Sequence, residues 1–143
     1  MTRQSPRLML AVDTSALVKR YVDEPGRDVV LDAMAADGEW CASALCLTEA
    51  KLVLHRIAAT PRQADRLWRA LHEDWDAFHV VPLDEQCLAA ATDIGANYGI
   101  GVAHAIHLAA AIRLPAPVRY LTLDQRQVAA AVALDLEVVA STP

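Results

Sequence analysis

Short apolar runs alternate with stretches of helical period along almost the whole chain, and this alternation restricts the fold more than any single motif does. The run "LMLAV" (residues 8–12) reads as a buried strand, and Asp13, Thr14 or Ser15 can cap a helix through Tyr21. A Pro-Gly turn at residues 25–26 precedes Val29, Val30, Ala33 and Met34, which recur at helical spacing, and "EWCASA" follows as a short strand. A helix is expected from about Cys46 to Ala59. A second starts sharply at Thr60-Pro61, with a capping hydroxyl, proline in the first helical position and Gln63 at the capping-box position. Beyond it "FHVVPL", "VRYLTL" and "LEVVA" read as strands; "DEQCLAAATDIGANYG", "VAHAIHLAAAI" and "DQRQVAAAVAL" read as helices. Strands separated by helices pair in parallel through crossover connections, so the fold class expected is an α/β sandwich with a parallel sheet.

At 143 residues the chain suits one compact domain, with no internal repeat and no Gly/Ser-rich linker to divide it. The hydrophobic fraction of 55% with 22% charged residues excludes a disordered chain, and no apolar stretch is long and continuous enough to span a bilayer. Basic residues precede the first apolar run, as in a signal peptide, but Asp13 interrupts that run too early for an h-region; a cytoplasmic location and no membrane association are expected. Cys41, Cys46 and Cys87 are odd in number and form no CxxC pair, so reduced, mostly buried thiols are expected rather than disulfides or a zinc ribbon. A net charge of −5 argues against a protein that holds nucleic acid by bulk basicity. It leaves room for a nuclease, because clustered carboxylates that hold metal ions themselves make a chain acidic.

Two acids stand where strands end. In open parallel sheets, sites form at the carboxyl ends of the strands. Asp13 follows the first strand and Asp124 follows "VRYLTL", so both should emerge on one sheet edge. A third acid, Glu49, sits inside "LCLTEAKLVLHR", where Leu45, Leu52 and Ile57 suggest a mostly buried setting. Taken alone, Asp13 and Asp124 read first as helix caps and Glu49 as a solvated helix residue. Together at one edge they would repel unless a cation or a shared proton compensated them, and a divalent metal is the natural resolution.

Four blocks of the sequence resemble a known family. "VDTSALVKRYVDEPG" with Asp13 and Ser15, "TEAKLVLHR" with Glu49 and Arg56, "AHAIHLAAA" at residues 103–111, and "LTLDQRQVAAAVALDLEVV" with Thr122 and Asp124 resemble the PIN-domain ribonucleases, above all VapC, the toxin half of bacterial toxin-antitoxin pairs. The resemblance covers nearly the whole chain in the family's order. It implies a single PIN-like domain over residues 1–143, a three-layer α/β/α sandwich with a central parallel sheet, that cleaves RNA with Mg²⁺ or Mn²⁺ as a cytoplasmic homodimer restrained by a VapB-like antitoxin. Asp13, Glu49 and Asp124 match the family's first, second and last acids as metal ligands. Ser15, Thr14 or Thr122 would orient an acid or a water by hydrogen bonding.

One position departs from the pattern. VapC-like chains usually carry aspartate where "HAIHLAAA" begins, and this chain has His104 there. An imidazole in place of an oxygen donor suits Mg²⁺ poorly and Mn²⁺ or Zn²⁺ better. Three readings follow: a nuclease with an altered metal site that includes His104, a degenerate homologue that binds antitoxin or RNA without cleavage, or an engineered inactive variant. His107 matches a histidine the family also carries and is assigned a core or structural role, and Asp93 is assigned to the surface.

Candidate RNA contacts are Lys19, Arg20, Lys51, Arg56 and Arg126, all near a proposed acid in sequence, set against the ordinary reading of solvated helix faces. Trp68, Trp75 and Tyr21 are read as core or as anchors for an antitoxin, with core favoured for Trp75 and Trp68 left open. A receiver domain would need an acidic pair at its first strand and a lysine after its last, and a haloacid-type phosphatase would need DxD; neither is present. Nor is there a GxSxG or P-loop pattern, which removes serine hydrolases and nucleotide binders.

Overall fold

The computed structural model of the chain describes residues 8–36 and 38–139. The basic N-terminal stretch considered as a leader, residues 1–7, and the end of the last predicted strand at Ala140 lie outside the described residues. Five strands, β1 (Met9–Val12), β2 (Glu39–Ser43), β3 (His79–Val81), β4 (Val118–Leu121) and β5 (Glu137–Val139), form one sheet in the order β3-β2-β1-β4-β5. All four pairings are parallel, as the alternation requires. Among the described residues, seven α-helices make the crossovers: α1 (Thr14–Leu17), extended by a 3₁₀ turn at Val18–Arg20, α2 (Arg27–Ala35), α3 (Ala44–Ile57), α4 (Pro61–Trp75), α5 (Glu85–Tyr98), α6 (Val102–Ile112) and α7 (Gln125–Ala133).

Side chains alternate across the sheet with the period of two that strands impose. Leu10, Val12, Ala42 and Leu121 face a core completed by Leu17, Val30, Cys46, Leu54 and Leu71. Ala11, Val118 and Tyr120 face a second core completed by Cys87, Ile94, Ile106, Leu108 and Ala131. Two cores on opposite faces make the three layers of an α/β/α sandwich. The cysteines are free and buried, and burial pushes the thiols of Cys41 and Cys46 up to about 11 and about 12. No helix among the described residues is long and apolar enough to cross a membrane.

The first helix is shorter than expected. Only one α-turn forms after Asp13 before the chain tightens into the 3₁₀ turn ending at Arg20. The start of α4 follows its local chemistry: the Thr60 side chain accepts from the Gln63 amide at 3.1 Å and the Gln63 side chain accepts from the Ala59 amide at 2.7 Å. Helix α3 faces differently from the sequence reading. Leu52 and Ile57 are 50% and 41% exposed, and Cys46, Ala50 and Leu54 face the core instead. The apolar residues of α3 outnumber one face, so its composition alone does not fix which of them turn inward.

The chain order places a site. Strands are added outward from β1 on one side through β2 and β3, and then the chain crosses to the other side of β1 for β4 and β5. The connections leaving β1 and β4 therefore diverge at the carboxyl ends of these neighbouring strands, the topological switch point at which sites form in open parallel sheets.

Candidate functional site at the sheet edge

Asp13 follows β1 and caps α1; Asp124 follows β4 by three residues and caps α7. Val12 and Leu121 are register partners, so the two acids leave adjacent strands at the switch point. Thr122 ties them together: its Oγ1 donates to Asp13 Oδ2 at 2.6 Å and accepts from the Asp124 amide at 3.0 Å. Glu49 arrives from the second turn of α3, where Thr14 Oγ1 donates to its Oε1 at 2.8 Å.

Asp13 is 1% exposed and saturated with donors. Its Oδ1 accepts from Ser15 Oγ at 2.7 Å and from the Ala16 amide at 3.0 Å; its Oδ2 accepts from Thr122 Oγ1 at 2.6 Å and Gln127 Nε2 at 2.8 Å. A carboxylate offers about four acceptor positions, so none is left over. Burial raises the pKa of Asp13 above the usual carboxylate range, and the bonds from Thr122, Ser15 and Ala16 only partly offset it. Ser15 has a second task, accepting from the Leu123 amide at 3.0 Å, and all three hydroxyls singled out in the sequence, Ser15, Thr122 and Thr14, donate to an acid.

Gln127 escaped the sequence reading. It lies on the buried face of α7, 1% exposed, and bridges Asp13 to the hydroxyl of Tyr120, which donates to Gln127 Oε1 at 2.6 Å. A glutamine among alanines in "RQVAAA" is a weak signal. Its spacing of three from the cap Asp124 was the available clue, since that position turns back toward the helix start.

Glu49 and Asp124 have partners of another kind. His107 Nε2 lies 2.6 Å from Glu49 Oε1, and its Nδ1 lies 3.0 Å from Ser43 Oγ. The hydrogen bond from His107, with that from Thr14, lowers the pKa of Glu49 against the cost of its partial burial. An ionised carboxylate only accepts, so His107 Nε2 carries the shared proton. The structural role assigned to His107 is met by its burial, and the contact with Glu49 adds to it. His104 Nε2 lies 3.1 Å from Asp124 Oδ2. Burial alone would raise the pKa of Asp124; bonds from the Arg126 side chain and amide and the charge of His104 outweigh it, and the net shift is downward. His104 is also a minor contributor to the lowered pKa of Glu49.

Carboxylate oxygens are the donors that Mg²⁺ and Mn²⁺ take. As arranged, however, no group of three or more His, Cys, Asp or Glu among the described residues converges enough to hold a metal ion. The bonds explain this: Asp13 has no open acceptor position, Glu49 Oε1 is held by His107 and Thr14, and both oxygens of Asp124 are in contact with Arg126, one of them also with His104. The arrangement in hand does not fit a divalent ion without side-chain movement.

The predicted basic contacts divide. Lys19 pairs with Glu24, Arg20 pairs with Asp74 at 2.8 Å and lies over the Trp40 ring, and Arg126 pairs with Asp124 at 3.1 Å. Lys51 lies over Trp68 and Arg56 is exposed at the end of α3. Trp75 stacks on Phe78 against the core, as assigned; the Tyr21 hydroxyl donates to Asp74 at 2.7 Å; and Trp68 is partly buried, its Nε1 donating to the Lys51 carbonyl. Asp93 is exposed, as assigned.

Residues 10–133 match the family model described as PIN domain. The chain belongs to the PIN-domain family. PIN domains are nucleases as a family and typically use divalent metals. Several solved structures share the fold of this PIN domain. A toxin-antitoxin complex from Klebsiella pneumoniae superposes with a TM-score of 0.68 at 14% identity, covering 94% of this chain and 97% of that one. VapBC2 from Rickettsia felis bound to a DNA fragment from their promoter gives 0.67 at 11% identity, covering 94% and 99%. FitAcB from Neisseria gonorrhoeae gives 0.67 at 20% identity, covering 91% and 95%. Comparison with curated protein sequences gives no match.

Proposed function

We propose that this PIN domain is a toxin-type endoribonuclease, restrained by a cognate antitoxin and acting as a homodimer. One observation carries the reading: the Thr122 tie holds Asp13 and Asp124 together across β1 and β4, at the switch point of a domain whose family consists of nucleases. The antitoxin partner is supported by the solved relatives, which are toxin-antitoxin complexes. RNA as substrate and Mg²⁺ or Mn²⁺ as cofactor are part of the proposal. Ser15, Thr122 and Gln127 fix the Asp13 carboxylate on the rigid sheet. His107 and His104 hold Glu49 and Asp124, which must turn from these partners before either serves a cation. Weak loading by Mg²⁺ follows.

A second reading, a PIN domain that binds antitoxin or RNA without cutting, is favoured by the engagement of all three acids and the absence of a converged metal cluster among the described residues. Cleavage of a labelled RNA over a Mg²⁺ and Mn²⁺ series, with Asp13→Asn and His104→Asp beside the wild type, separates the two. The nuclease reading expects metal-dependent cleavage that Asp13→Asn abolishes and His104→Asp increases. Cleavage equal in wild type and Asp13→Asn, or none with any metal, rejects it.

A further inference from the structure

We propose that Arg62, Arg66 and Arg69 on α4 form a stripe that binds the phosphate backbone of single-stranded RNA, outside the acid cluster. The proposal rests on the nuclease reading only in taking RNA as its ligand. Positions 62, 66 and 69 are spaced four and three apart, so the three guanidinium groups share the face of α4 opposite its core residues Ala64 and Leu71. All three are exposed, and with Asp65 they line one open depression.

The three share one helix face, and none is matched by a carboxylate. Lys19, Arg20, Arg113 and Arg126 are each neutralised by a nearby carboxylate. The guanidinium groups of Arg62, Arg66 and Arg69 make no hydrogen bond or ion pair with any of the described residues. In a chain of net charge −5, three unpaired cations in a row are a local reversal of sign. Of the acids of α4, Asp65 lines the same depression and Glu73 follows Arg69 by one turn, so the three arginines outnumber the acids beside them, and Asp74 is taken by Arg20 and Tyr21.

The scaffold is rigid. Thr60 caps the helix start, and Leu67, Trp68, Leu71 and Trp75 pack on the core, so the guanidinium groups are presented on a fixed line. From Arg62 to Arg69 that line runs about 10 Å at 1.5 Å per residue, long enough to pass a few successive phosphates. Guanidinium groups bind phosphate through paired N–H donors. A polypeptide partner is disfavoured because the depression offers no apolar or aromatic anchor, the feature that dominates protein interfaces.

The test is binding of a fluorescein-labelled single-stranded RNA to the full chain in EDTA, followed by anisotropy over a salt series. Each single-strand phosphate contact contributes about 0.7 to the slope of log K against log salt, so Arg62→Gln/Arg66→Gln/Arg69→Gln should reduce the slope by about 2. Between about 50 and 200 mM salt, the wild type should therefore lose roughly 10–20-fold more affinity than the triple variant. Arg113→Gln, whose cation is already paired, should leave the slope unchanged. Each single Arg→Gln variant should lower the slope by about 0.7, which keeps the test available should the triple variant be unstable. An unchanged slope overturns the proposal and leaves the stripe to an acidic protein partner. Since binding is read without metal, absence of cleavage with a reduced slope rejects only the nuclease reading, and cleavage with an unchanged slope rejects only the stripe.

Discussion

Asp13 and Glu49 are both carboxylates at one sheet edge, and they are held in opposite ways. Asp13 is enclosed by four neutral donors, two hydroxyls, an amide side chain and a backbone amide. Glu49 is only partly buried and leans on a histidine, itself tied to Ser43. Burial raises the pKa of the first, and the histidine bond lowers that of the second. Asp13 is held on the sheet by four separate donors, whereas Glu49 is held from the helix side by an imidazole and one hydroxyl. Asp13 is thus the fixed point of the site, and Glu49 with Asp124 is its adjustable rim.

The largest test of that contrast is truncation. Asp13→Ala strands several buried donors at about 1–3 kcal/mol each, so a loss of about 3 kcal/mol or more of unfolding free energy is expected in urea titrations. Asp124→Ala removes a helix cap and should cost about 1 kcal/mol. Equal losses would break the distinction between anchor and rim. Gln127→Leu comes next, at about 2 kcal/mol, because the Tyr120 hydroxyl loses its acceptor in a buried setting and Asp13 loses one of its donors. A variant as stable as wild type would show that Gln127 does not hold Asp13.

His104→Asp replaces an imidazole partner by a third carboxylate beside Asp124 and Glu49. The variant should melt lower than wild type in EDTA through like-charge repulsion and regain the difference as Mg²⁺ or Mn²⁺ is added. A melting temperature indifferent to metal in the variant would argue that the rim cannot be reshaped into an ion site.

The smallest effect is in the pH dependence, and its sign differs between the two acids. Glu49 has a folded pKa below its ordinary 4.5, so its contribution is complete above that pH and is lost as pH falls through the folded value. Asp13 has a folded pKa above its ordinary 3.8. The folded chain holds that proton more tightly, so the contribution of Asp13 diminishes as pH rises from 3.8 through the folded value. The stability gap between wild type and Glu49→Gln should therefore narrow as the pH is lowered below 4.5. A gap that widens there would reverse the assignment of the His107 bond as the controlling interaction.

Much of this was legible in the chain itself. The five strands, the capped starts at Asp13, Thr60 and Asp124 and the parallel sheet follow from residues adjacent in sequence, because periodicity and capping act within a few positions. The positions of Asp13 and Asp124 at strand ends were legible for the same reason, and the switch point then made them neighbours. The inward turn of Leu54 rather than Leu52 was not, because α3 carries more apolar residues than one face can bury. The surroundings of each acid were not legible either. Gln127 reaches Asp13 across 114 positions and His107 reaches Glu49 across 58. Contacts of that span are set by how the crossovers pack their helices on the sheet. The sequence by itself determined which residues are acids at strand ends. Only the tertiary structure decided that one is sealed by neutral donors while the others are held by histidine and arginine, and that difference comes from burial and partner charge, which no local pattern encodes.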